Sequence, residues 1–203
     1  MLDVHGVKAT FFIPGVVADD YPEVVKEIAR RGHEIGFHGY FHEESTETTY
    51  EQEHATMERC EKLFLEHGYI YSSNWRNQDG PFLHSIDGKE VPLVELPKDS
   101  IFDDTAYDFY TDSAPERYEL KSPGEMYEIW KDEFDSLAKE GRMINFVLHP
   151  QFMGRVSRVD MLSDLIGYMI ANGAWIDTNK AVAERVLRSR GFDVGEEKNM
   201  QRR

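Results

Sequence analysis

Two imidazoles four residues apart are the first residues in this sequence that could do chemistry. They are His38 and His42, within HEIGFHGYFHEE at residues 33–44. Residues four apart share one face of a helix, and a glycine-containing turn also lets them converge, so both rings can reach one divalent cation. Zinc would sit about 2.0–2.1 Å from each ring nitrogen, with a carboxylate as the usual third ligand. Two histidines alone make an incomplete site, and the same spacing also arises by chance on polar turns. Glu34, Glu43 and Glu44 are close in sequence and read as solvated charges. His149 stands between the apolar run INFVL and Pro150. An imidazole projected there can be protonated near neutral pH and serve as a general acid, or it can be a half-buried ring satisfied by a backbone carbonyl. Asp103 and Asp104 are adjacent carboxylates among aromatics, a pair that can raise a pKa, hold a polar substrate, or simply be solvated. Arg155 and Arg158, in GRVSR, could anchor a carboxylate, orient a loop, or be surface charge. No P-loop, nucleophile elbow, dinucleotide fingerprint or zinc-finger spacing is present.

The elements that must position these groups follow from pattern. VKATFFI, from residue 7, is a β-branched and aromatic run stopped by Pro14 and Gly15, the composition of a buried strand. A helix follows, capped by Asp19 or Asp20 with Pro22 in its first turn. Val24, Val25, Ile28 and Ala29 share its face, and Gly32 ends it. HEIGFH then alternates Ile35 and Phe37 on one side, a strand that delivers His38 at its C-terminal end. A polar helix is expected from Thr48 or Thr49 to about Gly68, then a strand at YIYSS. Residues 75–90 read as an excursion, VPLVELP as a strand, and the stretch after it as a second excursion. A helix capped by Ser122, with Pro123 just inside, runs to Gly141. MINFVLHP is the most apolar strand expected. A helix over 157–171, a short strand AWIDT, a helix from Asn179 to Arg190 and a frayed tail complete the order. Alternating strand and helix specify a parallel sheet with crossover helices, open or closed into a barrel. Both place chemistry at strand C-terminal ends, where His38 and His149 fall.

At 203 residues and 40% hydrophobic, the chain suits one domain with a sizeable core. Its net charge of −15 and pI near 4.9 disfavour nucleic acid and anionic membrane surfaces as partners. A single cysteine, Cys60, can form no internal disulfide and fits a reducing compartment. MLDVHGVKATFF lacks the basic and apolar regions of a signal peptide, and no run reaches membrane-spanning length, so a cytoplasmic location is expected. Residues 75–120, which would shape a cleft, carry no readable substrate code.

Taken in order, GVKATFFIPG, HEIGFHGYFHEE, VPLVELPKDSIFDDTAYDF and LHPQFMGRVSR resemble the polysaccharide deacetylase family. The likeness is to its cytoplasmic branch of peptidoglycan-deacetylase-like proteins and metal-independent allantoinases. It runs from about residue 6 to 186 and makes a chance pairing of His38 with His42 a poor explanation. The resemblance implies an α/β fold: a distorted, incomplete (β/α) barrel of about seven strands over residues 1–190, followed by a tail at 191–203. It further implies hydrolysis of a non-peptide carbon–nitrogen bond, foremost metal-dependent deacetylation of an N-acetylated sugar or small amide. His38 and His42 would bind a divalent metal, with zinc the expected ion. His149 would protonate the leaving amine, and Asp103, Asp104 and Arg155 would face the substrate. Relatives of the cytoplasmic branch suggest a dimer or tetramer. An allantoinase-like or cyclic-imide ring hydrolase, or a catalytically deficient ligand-binding relative, are the alternatives. The resemblance also places two aspartates, the base and the third ligand, on a strand upstream of Val7, where Asp3 reads as part of a preceding helix. A segment with an orienting arginine is likewise expected where Phe64 meets Leu65. The expectation is that these stretches are missing from the sequence in hand.

Overall fold

The computed structural model of the chain describes residues 1–42, 65–75, 78–108 and 120–194. Among these, the elements in chain order are α1 (Leu2–His5), β1 (Thr10–Ile13), α2 (Gly15–Asp20), α3 (Pro22–Arg30), β2 (Glu34–Phe37), β3 (Tyr71–Ser72), β4 (Phe82–Ile86) and β5 (Lys89–Glu95). A 3-10 turn (Ser100–Phe102), α4 (Thr105–Asp108), α5 (Pro123–Lys139), α6 (Pro150–Met153), α7 (Val156–Ala171) and α8 (Asn179–Ser189) follow. The architecture is α/β. Most of the polar helix expected from residue 48, the junction of Phe64 with Leu65, and residues 195–203 lie outside the described residues. The chain divides into two compact units, one of residues 1–9, 73–81 and 96–177, the other of 10–72, 82–95 and 178–203.

In the second unit, β1 and β2 pair in parallel, Thr10 opposite Glu34 through Ile13 opposite Phe37. The crossover between them contains α3, which starts on Pro22 and ends before Gly32, as the sequence predicts. It also contains α2, a helix absent from the sequence reading, whose cap is Pro14 rather than a side chain that accepts from the first helical amides. β3 pairs in parallel with β5, and β4 pairs with β5 antiparallel. The excursion expected at 75–90 is therefore wrong for its second half. Asp87 (φ 52°) and Gly88 (φ 73°) form a two-residue hairpin turn, and Asp-Gly favours such positive φ values because its backbone twist matches that of paired strands. A register shift between Leu83 and Ser85 lets β4 turn His84 inward against Glu95 and Ser72.

The first unit is built on helices. Ser122 accepts from the Glu125 amide, the cap predicted for the start of α5, and the Glu125 carboxylate accepts in turn from the Ser122 amide, which completes a capping box. Met126, Trp130 and Phe134 on α5 and Met161, Leu162, Leu165, Ile166 and Met169 on α7 bury a common core with Phe102, Tyr107 and Met153. Trp130 is fully buried, and its indole N–H donates to the Ile101 carbonyl at 2.7 Å. Two expected strands of this unit are not regular strands among the described residues. AWIDT turns Ala174 and Ile176 toward the core in an extended segment. MINFVLHP turns Ile144, Phe146 and Leu148 inward, and among the described residues it makes one parallel bridge, Val147 to Asp103. Both have the side-chain alternation of strands.

Candidate active site

In the first unit, the 3-10 turn is capped by Asp99, whose carboxylate accepts from the Ile101 amide at 2.9 Å. The chain then extends for Asp103 and meets Val147: the Val147 amide donates to Phe102 O at 2.9 Å and the Asp104 amide to Val147 O at 3.1 Å. That single bridge brings Asp104 beneath His149. The His149 amide donates to Asp104 Oδ2 at 2.6 Å, and His149 Nδ1 lies 2.6 Å from Oδ1 of the same carboxylate. Asp104 is fully buried, whereas 32% of the His149 side chain is exposed. Burial pushes the Asp104 carboxyl above its ordinary value, with the two bonds from His149 opposing that rise and the neighbouring Asp103 adding to it. The ring is therefore fixed through Nδ1, which leaves Nε2 for proton transfer. Phe152 packs edge-on to it at 6.0 Å.

Asp103 is turned to another task. Its Oδ1 accepts from the Thr105 amide at 3.0 Å and the Thr105 hydroxyl at 2.5 Å, which opens α4. Asp103, Asp104 and His149 bring ligand atoms within 4.8 Å of one another, close enough for a cation site. Both Asp104 oxygens already serve His149 and Asp103 Oδ1 already serves Thr105, so the group is an internally satisfied hydrogen-bonded cluster first. The aspartates are buried rather than a solvated pair.

Arg155 is exposed at the start of α7, and its cation acts on Asp108. The buried arginine is Arg158. Its guanidinium bonds to Asp108, to the Lys121 carbonyl and to the Met126 sulfur. Surface charge is therefore the wrong description of Arg158. Burial still raises the Asp108 carboxyl, with Arg158 and Arg155 drawing it back down.

His38 and His42 lie in the second unit. His38 leaves β2 at its C-terminal end as the sequence predicts, and the two rings meet edge-to-face with centroids 4.5 Å apart. Their loop is held from below. The Gly15 and Val16 amides, at the start of α2, donate to the Gly39 and Tyr40 carbonyls at 2.9 and 3.0 Å, and Tyr40 OH donates to Asp19. Gly39 (φ 70°) has the left-handed backbone that glycine tolerates; His42 (φ 60°) adopts it at a cost. At Gly36 a Cβ would stand 2.6 Å from the Phe12 ring, which itself lies edge-on to His38.

Glu34 was missed by sequence reasoning. Far from being solvated, its carboxylate accepts from Thr10 Oγ1 at 2.6 Å, Tyr71 OH at 2.8 Å and the Lys180 amide at 3.0 Å. It ties β2 to β1, to β3 and to the start of α8. Ile35 and Phe37 are exposed by 40% and 65%, so this polar anchor and the ladder to β1, rather than core packing, fix the strand that carries His38. Alternation placed those two apolar residues on one face, and that face is exposed.

Two imidazoles in contact are a fitting half of a divalent-cation site, since neutral nitrogen donors suit first-row metals. Among the described residues no third histidine, cysteine or carboxylate joins them.

Comparison with known proteins bears on this arrangement. The polysaccharide deacetylase family profile matches residues 1–76, the span that carries both histidines. Peptidoglycan deacetylase of Helicobacter pylori is 23% identical over 237 residues, covering 91% of this chain and 81% of its own. A solved Mycobacterium smegmatis protein assigned to the polysaccharide deacetylases superposes with a TM-score of 0.80 at 26% identity, over 95% of this chain and 76% of its own. The chain is similar to the polysaccharide deacetylases, by family profile over residues 1–76 and by fold over most of its length. Peptidoglycan-N-acetylglucosamine deacetylase of Bacillus cereus is 54% identical, over a 41-residue segment that makes up 20% of this chain and 15% of its own. PuuE allantoinase shares the fold, with a TM-score of 0.76 at 18% identity, over 95% of this chain and 71% of its own. None of the described helices is long and apolar enough to cross a membrane.

Proposed function

We propose that this chain is a hydrolase of carbon–nitrogen bonds that removes acetyl groups from N-acetylated sugars. The observation that carries the reading is the His149–Asp104 dyad, a ring held at Nδ1 by a buried carboxylate with its other nitrogen left over. Water adds to the amide carbonyl carbon, the carbon–nitrogen bond breaks, and the nitrogen departs as a free amine once it has taken a proton. His149 Nε2 donates that proton. Asp104 keeps the ring oriented and offsets the charge of an imidazolium, so that Nε2 carries a hydrogen when the amine needs it. Proton delivery to nitrogen prevents return to the amide.

His38 and His42 are the residues that would hold a divalent cation, zinc in our reading, which would supply Lewis-acid polarisation of the carbonyl. Asp103 and Arg155 are proposed to line the substrate side. The names of the relatives from H. pylori and B. cereus support an N-acetylated cell-wall sugar as substrate. The likeness to PuuE allantoinase supports the fold alone, and we do not adopt ring hydrolysis. Fold likeness to solved relatives also supports a distorted, incomplete barrel over residues 1–190. A cytoplasmic homo-oligomer, dimer or tetramer, completes the proposal, with the single cysteine supporting the compartment.

The test is acetate release from N-acetylglucosamine oligomers and from peptidoglycan, with and without added zinc, alongside ring opening of allantoin. Acetate from the sugars and no opening of allantoin is the expected result. Allantoin turnover without acetate would replace the proposal with a ring hydrolase, and neither reaction would leave a ligand-binding relative.

A further inference from the structure

Among the described residues the segment that carries His149 makes one backbone bridge, to Asp103, rather than the ladder expected of it. β5 ends at Glu95, and two residues later Pro97 has no amide hydrogen to donate to a neighbouring strand. The Lys98 amide turns away to the Trp75 carbonyl at 3.1 Å. The carbonyls of Leu96 and Pro97 are left facing the segment without backbone donors from it. Asn145 fills that position with its side chain. Its Nδ2 lies 3.2 Å from Leu96 O, 3.4 Å from Pro97 O and 3.2 Å from Ser73 Oγ, and the Ser73 hydroxyl itself donates to Leu96 O at 2.8 Å.

Asn145, Val147 and His149 alternate with Ile144, Phe146 and Leu148, which pack on the core. In an extended segment residues two apart share a face. Along that face there are three attachments: Asn145 at the upstream end, the bridge at Val147, and Asp104 at His149. Removing the first leaves one bridge and the dyad on that face, with the opposite face still packed on the core.

We propose that Asn145 is a positioning residue for His149, its amide standing in for the missing strand ladder and setting where Nε2 lies. The proposal rests on His149 being the proton donor described above. A displacement of about 1 Å in a reacting group can cost up to about 100-fold in rate. The expected signature is thus a loss in kcat rather than in substrate affinity.

The experiment compares wild type with Asn145→Ala and Asn145→Asp, the latter placing a carboxylate against carbonyl oxygens. Three quantities are read: kcat and KM for acetate release from an N-acetylglucosamine oligomer, the downfield proton NMR resonance of His149 Nδ1–H against Asp104, and Tm. We expect kcat to fall about 10- to 100-fold with KM little changed, and the His149 resonance to shift or broaden in protein that remains folded. A purely structural residue would lower Tm and leave the resonance and kcat as they were, and that result would overturn the proposal. If Asn145→Ala fails to fold, Ser73→Ala, which removes one acceptor of the Asn145 amide together with one donor to Leu96 O, is expected to move the same resonance in the same direction; an unmoved resonance there counts against the proposal. If wild type itself releases no acetate, the deacetylase reading fails, while the resonance still decides the role of Asn145.

Discussion

Replacing Asp104 by asparagine tests the dyad with a change of one atom. The carboxylate accepts two bonds, from the His149 amide and from Nδ1, each at 2.6 Å, at a fully buried position. Asparagine offers one acceptor oxygen and one NH2. If the oxygen stays with the backbone amide, the NH2 faces Nδ1, which must then give up its proton, and the imidazolium loses its partner. A hydrogen bond to a charged group contributes about 1.5–3 kcal/mol, and each 1.36 kcal/mol in a barrier is about tenfold. Steady-state acetate release should therefore fall about 10- to 150-fold in Asp104→Asn. Because both residues act as one unit, Asp104→Asn combined with His149→Ala should be no slower than His149→Ala alone. The pH dependence has a definite sign. Asp104 is raised above its ordinary value of 3.8, so between that value and its folded value the native state keeps a proton that the unfolded chain releases. Stability contributed by the protonated form is present below this window and lost as pH rises through it. The stability of wild type relative to Asp104→Asn, measured by urea unfolding, should therefore decline as pH rises from 3.8. Wild-type activity in Asp104→Asn, or multiplied losses in the double variant, would refute the reasoning.

Other perturbations follow from the same geometry. Arg158→Met leaves Asp108 without its ion-pair partner in a place where both side chains are under a tenth exposed, and should cost about 3–5 kcal/mol in urea unfolding. Gly36→Ala drives a methyl into the Phe12 ring and should cost about 1–3 kcal/mol, with a changed His38 ring signal in proton NMR. His42→Ala should weaken Co2+ or Zn2+ binding at least about 100-fold by competition with a chromogenic chelator, and equal affinity would remove the imidazole pair as a metal site.

Local signals carried much of this structure. The Ser122 capping box with Glu125, the start of α3 on Pro22 and the strand that ends at His38 are readable because each depends on neighbours within four residues. The β4–β5 hairpin is equally local: its Asp-Gly turn between alternating residues is a strong hairpin signal, while the glycines and turn residues around it have the composition of a loop. What the sequence hid was long-range. MINFVLHP has a strand's side chains, but its one bridge among the described residues runs to Asp103, far away in the sequence, and side-chain alternation does not report such a partner. Glu34 looks like any charged residue until Tyr71 and Lys180, from distant parts of the chain, close around it. The burial of Asp104 is of the same kind, set by a contact 45 residues away.

The most direct measurement concerns the proton that His149 is said to deliver. An amide nitrogen must be protonated to leave, whereas p-nitrophenolate leaves without one. In His149→Ala, acetate release from an N-acetylglucosamine oligomer should fall about 10²- to 10⁴-fold while hydrolysis of p-nitrophenyl acetate falls far less. Equal losses on both substrates, or an amide rate that does not change, would contradict His149 as the proton donor.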